Sequence, residues 1–127
     1  MYKRQAPDRP GWFYLPTVLD HVPDDCPASE QELFGPVAAV FRVADFDAAI
    51  RRANQTAYGL SASLWTADRD RARLLADQLD SGAVFVNDMS YSDPRLPFGG
   101  TGLSGYGREL GEAGILEFVN LQTRCYA

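Results

Sequence analysis

Apolar positions along the chain follow two rhythms, a short continuous or alternating run and a period near 3.6. The first rhythm marks Val37-Ala-Ala-Val-Phe-Arg-Val43, the stretch 60–66 and Ala83-Val-Phe-Val86, and predicts strands. The last of these is apolar throughout, as expected of a strand covered on both faces. The second rhythm marks residues 47–54, with Phe46, Ala49, Ile50 and Ala53 on one face and Asp45 as N-cap. It returns over residues 69–80, opened by Asp68, with Ala72, Leu75, Ala76 and Leu79 as the stripe and Ser81-Gly82 as the stop. Tyr58-Gly59 closes the earlier helix, glycine suiting a left-handed turn. The order strand, helix, strand, helix, strand predicts an α/β fold with a parallel sheet and right-handed crossovers.

The flanks are less regular. Residues 8–16 are rich in proline, glycine and aromatics, and lead into a short strand near 13–19. Residues 23–27 form a turn-rich loop. Ser29 and Glu32 have capping-box spacing, but Gly35-Pro36 follows so soon that only a single helical turn is expected. After a loop over 87–104, residues 108–119 predict a last helix, weakened by Gly111 and Gly114, and residues 121–126 a final extended piece.

Charge narrows the function classes. The net charge is -5, and acids and arginines are interspersed. No basic stripe exists to engage nucleic acid. No apolar run approaches a membrane span. Cys26 and Cys125 lie near opposite ends, too few for a disulfide framework, so a reducing cytoplasm is the expected compartment. His21, the single histidine, cannot build a metal site alone. Lysine occurs only at Lys3, inside Met1-Tyr-Lys-Arg-Gln5. That pentapeptide resembles a translated adapter remnant, the alternative being a short native lead-in; residues 1–5 are read as a non-native lead-in, and on that reading the true chain is expected to continue upstream.

Gly99, Gly100, Gly102, Gly105 and Gly107 crowd the loop that follows Val86. Glycine costs ordering entropy, so such density signals tight turns, close backbone approach to a ligand, or plain flexibility. Position favours a ligand, because open α/β sheets bind beyond the carboxyl ends of their strands.

Two spaced motifs then point to a family. Glu30-Gln-Glu-Leu-Phe-Gly-Pro-Val37 and Pro97-Phe-Gly-Gly-Thr-Gly-Leu-Ser-Gly-Tyr-Gly-Arg-Glu-Leu-Gly111, with Ala57-Tyr58-Gly59-Leu60 and Ser81-Gly-Ala-Val-Phe-Val-Asn87 between them, resemble the C-terminal part of the aldehyde dehydrogenase catalytic domain. The resemblance implies the parallel-sheet half of that domain over residues 6–120, with residues 121–127 as an oligomerisation strand pairing with a neighbouring subunit in a homodimer or homotetramer. It implies NAD or NADP as cofactor and a small aldehyde as substrate. In that family a cysteine thiolate attacks the aldehyde, hydride passes to the nicotinamide, and a glutamate-activated water releases the acid. Cys26 and Cys125 match no catalytic position. The nucleophile, the base and the dinucleotide-binding domain are expected upstream, so the chain alone is expected to be inactive.

By the same resemblance Glu32 holds the nicotinamide ribose hydroxyls and Phe34 packs beside the nicotinamide. Read singly, these would be a solvated acid and a core aromatic. Phe98 is expected to line the aldehyde channel. Arg108 and Glu109 support the site; otherwise they are a surface pair at a helix start. Asn87 caps the strand entering the site loop or simply forms a turn. Residues 13–19, Trp65-Thr66 and residues 117–123 look most like succinate-semialdehyde dehydrogenases, in which Ser92 would bind the substrate carboxylate. Gly102 stands where many relatives carry lysine. A second reading is a non-catalytic module that adds its tail strand to full-length subunits.

Overall fold

Short apolar runs punctuated by proline and glycine dictate short elements. In the computed structural model residues 10–127 are described, and the lead-in expected over residues 1–5 lies outside them. The chain divides into two compact units, the first ending at Asp45 and the second running from Phe46 to Ala127.

In the first unit β1 (Thr17–Leu19) runs parallel to β2 (Val37–Ala39), Thr17 facing Val37 and Leu19 facing Ala39. Between them α1 (Pro27–Glu30) is the expected single turn. It starts where it does because proline has its φ pre-set for the first helical position. Ser29 therefore lies inside the turn and not at its cap, which is Cys26. The predicted strand over 37–43 shortens to β2, although the Val40 amide still donates to the Leu19 carbonyl at 2.8 Å. Thr17 is buried, its hydroxyl donating to the Leu15 carbonyl at 2.8 Å.

The second unit runs α2 (Phe46–Asn54), β3 (Tyr58–Gly59), β4 (Ala62–Leu64), α3 (Arg69–Ala76), β5 (Val84–Val86), β6 (Thr101–Gly102) and α4 (Gly111–Leu116). Asp68 caps α3 as its sequence requires, accepting from the Arg71 amide at 3.0 Å. The apolar stripes face inward, burying Ile50, Ala72 and Leu75. The Arg71 guanidinium sits 4.7 Å over the Phe46 ring. Asn54 ties the exit of α2 to the chain after α3, donating to the Gln78 carbonyl at 2.7 Å and accepting from the Asp80 amide at 3.0 Å. β4 and β5 pair in parallel, Ala62 facing Val84 and Leu64 facing Val86, around the crossover helix α3.

Parallel pairing forms one ladder within each unit, β1–β2 in the first and β4–β5 in the second. The structure departs from the sequence pattern in three places. β5 is not covered on both faces: Val84 and Phe85 are half-buried and Val86 is exposed, α3 being the helix that packs on it. Tyr58-Gly59 is not a helix stop but strand β3, antiparallel to β6. Gly59 is needed there for space, since a Cβ would lie 2.1 Å from Thr101 Oγ1. The last helix begins at Gly111 and not at Arg108, because Glu109 is held in an extended bridge to Phe98 and Leu110 (φ 64°) and Gly111 (φ 58°) turn the chain through left-handed backbone. Residues 121–127 follow as exposed chain without strand pairing among the described residues. No helix among the described residues is long and apolar enough to cross a membrane.

Candidate functional site

Each unit holds part of the predicted set. In the first unit Gly35-Pro36 ends the segment leaving α1, and the Val37 amide turns back to the Gly35 carbonyl at 2.7 Å. That tight reversal leaves Phe34 in left-handed backbone at φ 49° and 91% exposed. A phenylalanine in that conformation is strained, and one exposed to this degree gains nothing from burial to offset it. Glu32 is exposed beside it and has no hydrogen-bond or ion-pair partner among the described residues. Together with Ala28, Gln31, Leu33 and Val37 they line an open cleft of about 390 Å³. A free carboxylate next to a bare aromatic face suits a nicotinamide riboside: the carboxylate can accept from both hydroxyls of a diol, and the ring offers a flat apolar surface. Elsewhere in this unit the Arg42 guanidinium grips Asp20 at 2.7 and 3.2 Å and holds its carboxyl below the usual range.

In the second unit the glycine loop is organised from both ends. Phe98 and Glu109 exchange two backbone hydrogen bonds, each 2.7 Å. The Arg108 guanidinium reaches back and donates to the carbonyls of Gly100 and Gly107, both at 2.8 Å, while its amide donates to Glu117 Oε1 at 3.3 Å. Backbone packs directly on backbone at Gly82, where a Cβ would fall 1.6 Å from the Gly99 carbonyl oxygen. Gly99, Gly100 and Gly102 are also crowded, a Cβ at each falling 2.4 Å from a neighbouring atom, so close approach accounts for these three glycines. Phe98, Arg108, Glu109, Leu60, Tyr106 and Phe118 are among the residues lining a hollow of about 390 Å³.

The loop between Asn87 and Phe98 is pinned at several points. Asn87 (φ 56°) exchanges two hydrogen bonds of 2.8 Å with Thr66, accepting from its amide and donating to its carbonyl, and so joins the ends of β4 and β5. Ser61 Oγ donates to Ser90 Oγ at 2.9 Å, and Ser63 Oγ lies 3.5 Å from the same oxygen. The Tyr91 ring rests on Phe85, centroids 5.1 Å apart at 48°. Asp93 takes a two-pronged contact from Arg95 at 2.9 and 2.6 Å and a further bond from the Arg95 amide at 2.9 Å. These bonds hold the Asp93 carboxyl below its ordinary value of 3.8, the side-chain bond from Arg95 contributing most. Ser92, between the pinned residues, is exposed and its hydroxyl has no partner among the described residues.

The structure thus brings Phe98, Arg108 and Glu109 to one hollow, and Glu32 and Phe34 to one cleft; Ser92 does not line either. A wider cleft of about 580 Å³ between α3 and the end of β5 holds Arg69, Arg73, Asp77 and Asp88, and of the predicted residues only Asn87. Sequence reading missed Ser61, Ser63, Ser90 and Glu117. The spacing of Ser61 and Ser63, two apart at a strand, put both hydroxyls on one face, a signal that was available.

Residues 2–124 match the aldehyde dehydrogenase family. The chain is 51% identical over 119 residues to a probable succinate-semialdehyde dehydrogenase [NADP(+)] of Synechocystis sp., covering 94% of this chain and 26% of that protein. It is 50% identical over 116 residues to succinate-semialdehyde dehydrogenase [NADP(+)] 1 of Mycobacterium bovis, covering 91% of this chain and 25% of that protein. The structure superposes on succinic semialdehyde dehydrogenase from Streptococcus pyogenes, solved with NADP+ as the cofactor, with a TM-score of 0.86 at 40% identity, covering 91% of this chain and 26% of that one. The chain therefore belongs to the aldehyde dehydrogenase family, a family of NAD(P)-dependent oxidoreductases. It spans about a quarter of the length of the curated relatives it matches.

Proposed function

We propose that this chain contributes cofactor-binding and substrate-binding walls to an NAD(P)-dependent aldehyde dehydrogenase that oxidises succinate semialdehyde to the dicarboxylic acid. The observation that carries the reading is the half-identity to succinate-semialdehyde dehydrogenases over more than nine tenths of the chain. The cofactor accepts hydride when bound. Glu32 accepts hydrogen bonds from its ribose hydroxyls, and Phe34 offers a face to its ring. Phe98 lines the aldehyde path with an apolar wall. Arg108 and Glu109 fix where Phe98 stands, Arg108 through the Gly100 and Gly107 carbonyls and Glu109 through its backbone bridge. Ser92 donates its free hydroxyl to the substrate carboxylate. Neither Cys26 nor Cys125 takes the role of nucleophile, so the 127-residue chain by itself is inactive. Residues 121–127 act as the oligomerisation strand and residues 6–120 as the catalytic part. The strand assignment is supported by Leu121 and Tyr126, which stand 91% and 86% exposed. The same exposed tail favours the second reading, docking on full-length subunits without catalysis. The enzyme works in the cytoplasm.

The test is a chimera in which residues 10–127 replace the matching quarter of the Streptococcus pyogenes enzyme. It is expected to oxidise succinate semialdehyde with NADP+. Glu32→Ala is expected to raise the KM for NADP+ about tenfold or more, through the loss of both charge-assisted hydrogen bonds to the ribose. A chimera that folds and binds NADP+ but does not prefer succinate semialdehyde to butanal would refute the substrate assignment. Deleting residues 121–127 is expected to shift the chimera to a smaller assembly by light scattering, and an unchanged mass would refute the strand's role.

A further inference from the structure

The proposed substrate contact, Ser92, sits in a loop with no secondary structure of its own, yet its neighbours are fixed. On one side the loop folds back over a single face of the β4–β5 ladder. Ser63 and Phe85 are register partners across that ladder and share this face. Ser90 lands on Ser63 and on Ser61, while Tyr91 lands on Phe85. On the other side Asp93 is locked to Arg95, and its carbonyl accepts from the Leu96 amide at 3.0 Å. Ser92 is thereby the free hydroxyl between two fastened points.

We infer that Ser90 is a positioning residue for substrate selection: its hydroxyl, clasped by Ser61 and Ser63, holds the loop so that Ser92 is presented to a carboxylate at the far end of the aldehyde. The inference rests on the proposed role of Ser92. An unclasped loop would have to be ordered at each binding event, at a cost in conformational entropy that weakens recognition of the carboxylate alone. An uncharged aldehyde of the same length makes no use of Ser92 and does not bear that cost. Loss of the clasp therefore lowers discrimination and spares the chemistry.

The chimera tests this with succinate semialdehyde and butanal. Ser90→Ala is expected to lower the ratio of their kcat/KM values about fivefold, through KM for succinate semialdehyde, with butanal oxidation unchanged. Ser90→Thr, which keeps the hydroxyl, is expected to restore the ratio. Ser92→Ala is expected to lower it about tenfold. If Ser92→Ala lowers the ratio and Ser90→Ala does not, the clasp is refuted while the role of Ser92 stands. If neither lowers it, the carboxylate reading itself falls. If Ser90→Ala lowers both substrates equally, its role is general stability and the inference is overturned. Amide exchange over residues 88–97 of the chimera gives an independent reading. Ser90→Ala is expected to speed exchange there about tenfold, and an unchanged rate would count against the clasp whatever the activity shows.

Discussion

At Phe34 local strain and exposure act together. Left-handed backbone costs a non-glycine residue on the order of 1–2 kcal/mol, and a side chain 91% exposed recovers none of it by packing. Phe34→Gly relieves the backbone but adds freedom to the unfolded chain, an opposing effect of about 0.5–1 kcal/mol. Stability is therefore expected to change by less than about 1 kcal/mol in urea titration, while the KM of the chimera for NADP+ rises. A large loss of stability would show that the ring is packing, against the role assigned to it. The roles proposed for Glu32 and Phe34 rest on their motif. The pattern of polar and apolar positions could not separate Phe34 from a core aromatic, because exposure is decided by the turn at Gly35-Pro36 and not by the residue's own chemistry.

Elements are set by a few close contacts. A Cβ at Gly82 would meet the Gly99 carbonyl carbon at 2.7 Å as well as its oxygen, and both partners are backbone. Gly82→Ala is thus expected to cost about 3 kcal/mol or more, measured by chemical denaturation of the chimera, since Gly82 is held by its amide bond to the Gly59 carbonyl at 2.9 Å and Gly99 follows the Phe98–Glu109 bridge. The Asp93–Arg95 lock adds a pH prediction. Its folded carboxyl titrates below 3.8, so the contribution is fully present above that value and is lost only as pH falls through the lower folded value. Amide exchange across the loop, corrected for its intrinsic pH dependence, is expected to be flat from about pH 5 to 8 and to accelerate only in strong acid. Much at this scale was readable beforehand: the Asp68 cap, the Ala72 and Leu75 stripe and the parallel β4–β5 pair follow from local chemistry. Strand β6 and the late start of α4 were not, because both depend on partners distant in sequence. Thr101 answers to Gly59, and Glu109 to Phe98.

For the molecule as a whole, burial is sparse. Among the described residues the buried apolar side chains are Ile50, Ala72 and Leu75, all in the second unit, and the first unit buries Thr17. Phe118, Leu121 and Trp12 stand more than nine-tenths exposed. So little apolar surface removed from water offsets little of the entropy of ordering the chain. The purified 127-residue chain is expected to bind a hydrophobic dye and to unfold over a broad range, the first unit before the second in hydrogen exchange. A sharp calorimetric transition without dye binding would contradict this. One consequence of the Gly82–Gly99 contact concerns change over evolutionary time. With Asn87 fixed to Thr66 at one end and Gly99 seated on Gly82 at the other, residues 88–97 behave as a cassette between two posts. Phe98 is held from outside the cassette by its two backbone bonds to Glu109, and among the described residues the one backbone bond between the cassette and that turn runs from the Gly111 amide to the Pro94 carbonyl at 3.0 Å. Variants lengthened there by a few residues are expected to keep the hydrogen-bonded Phe98 and Glu109 amides slow to exchange while changing which aldehydes they accept. Faster exchange at those two amides would show that the posts do not insulate Phe98 from the cassette.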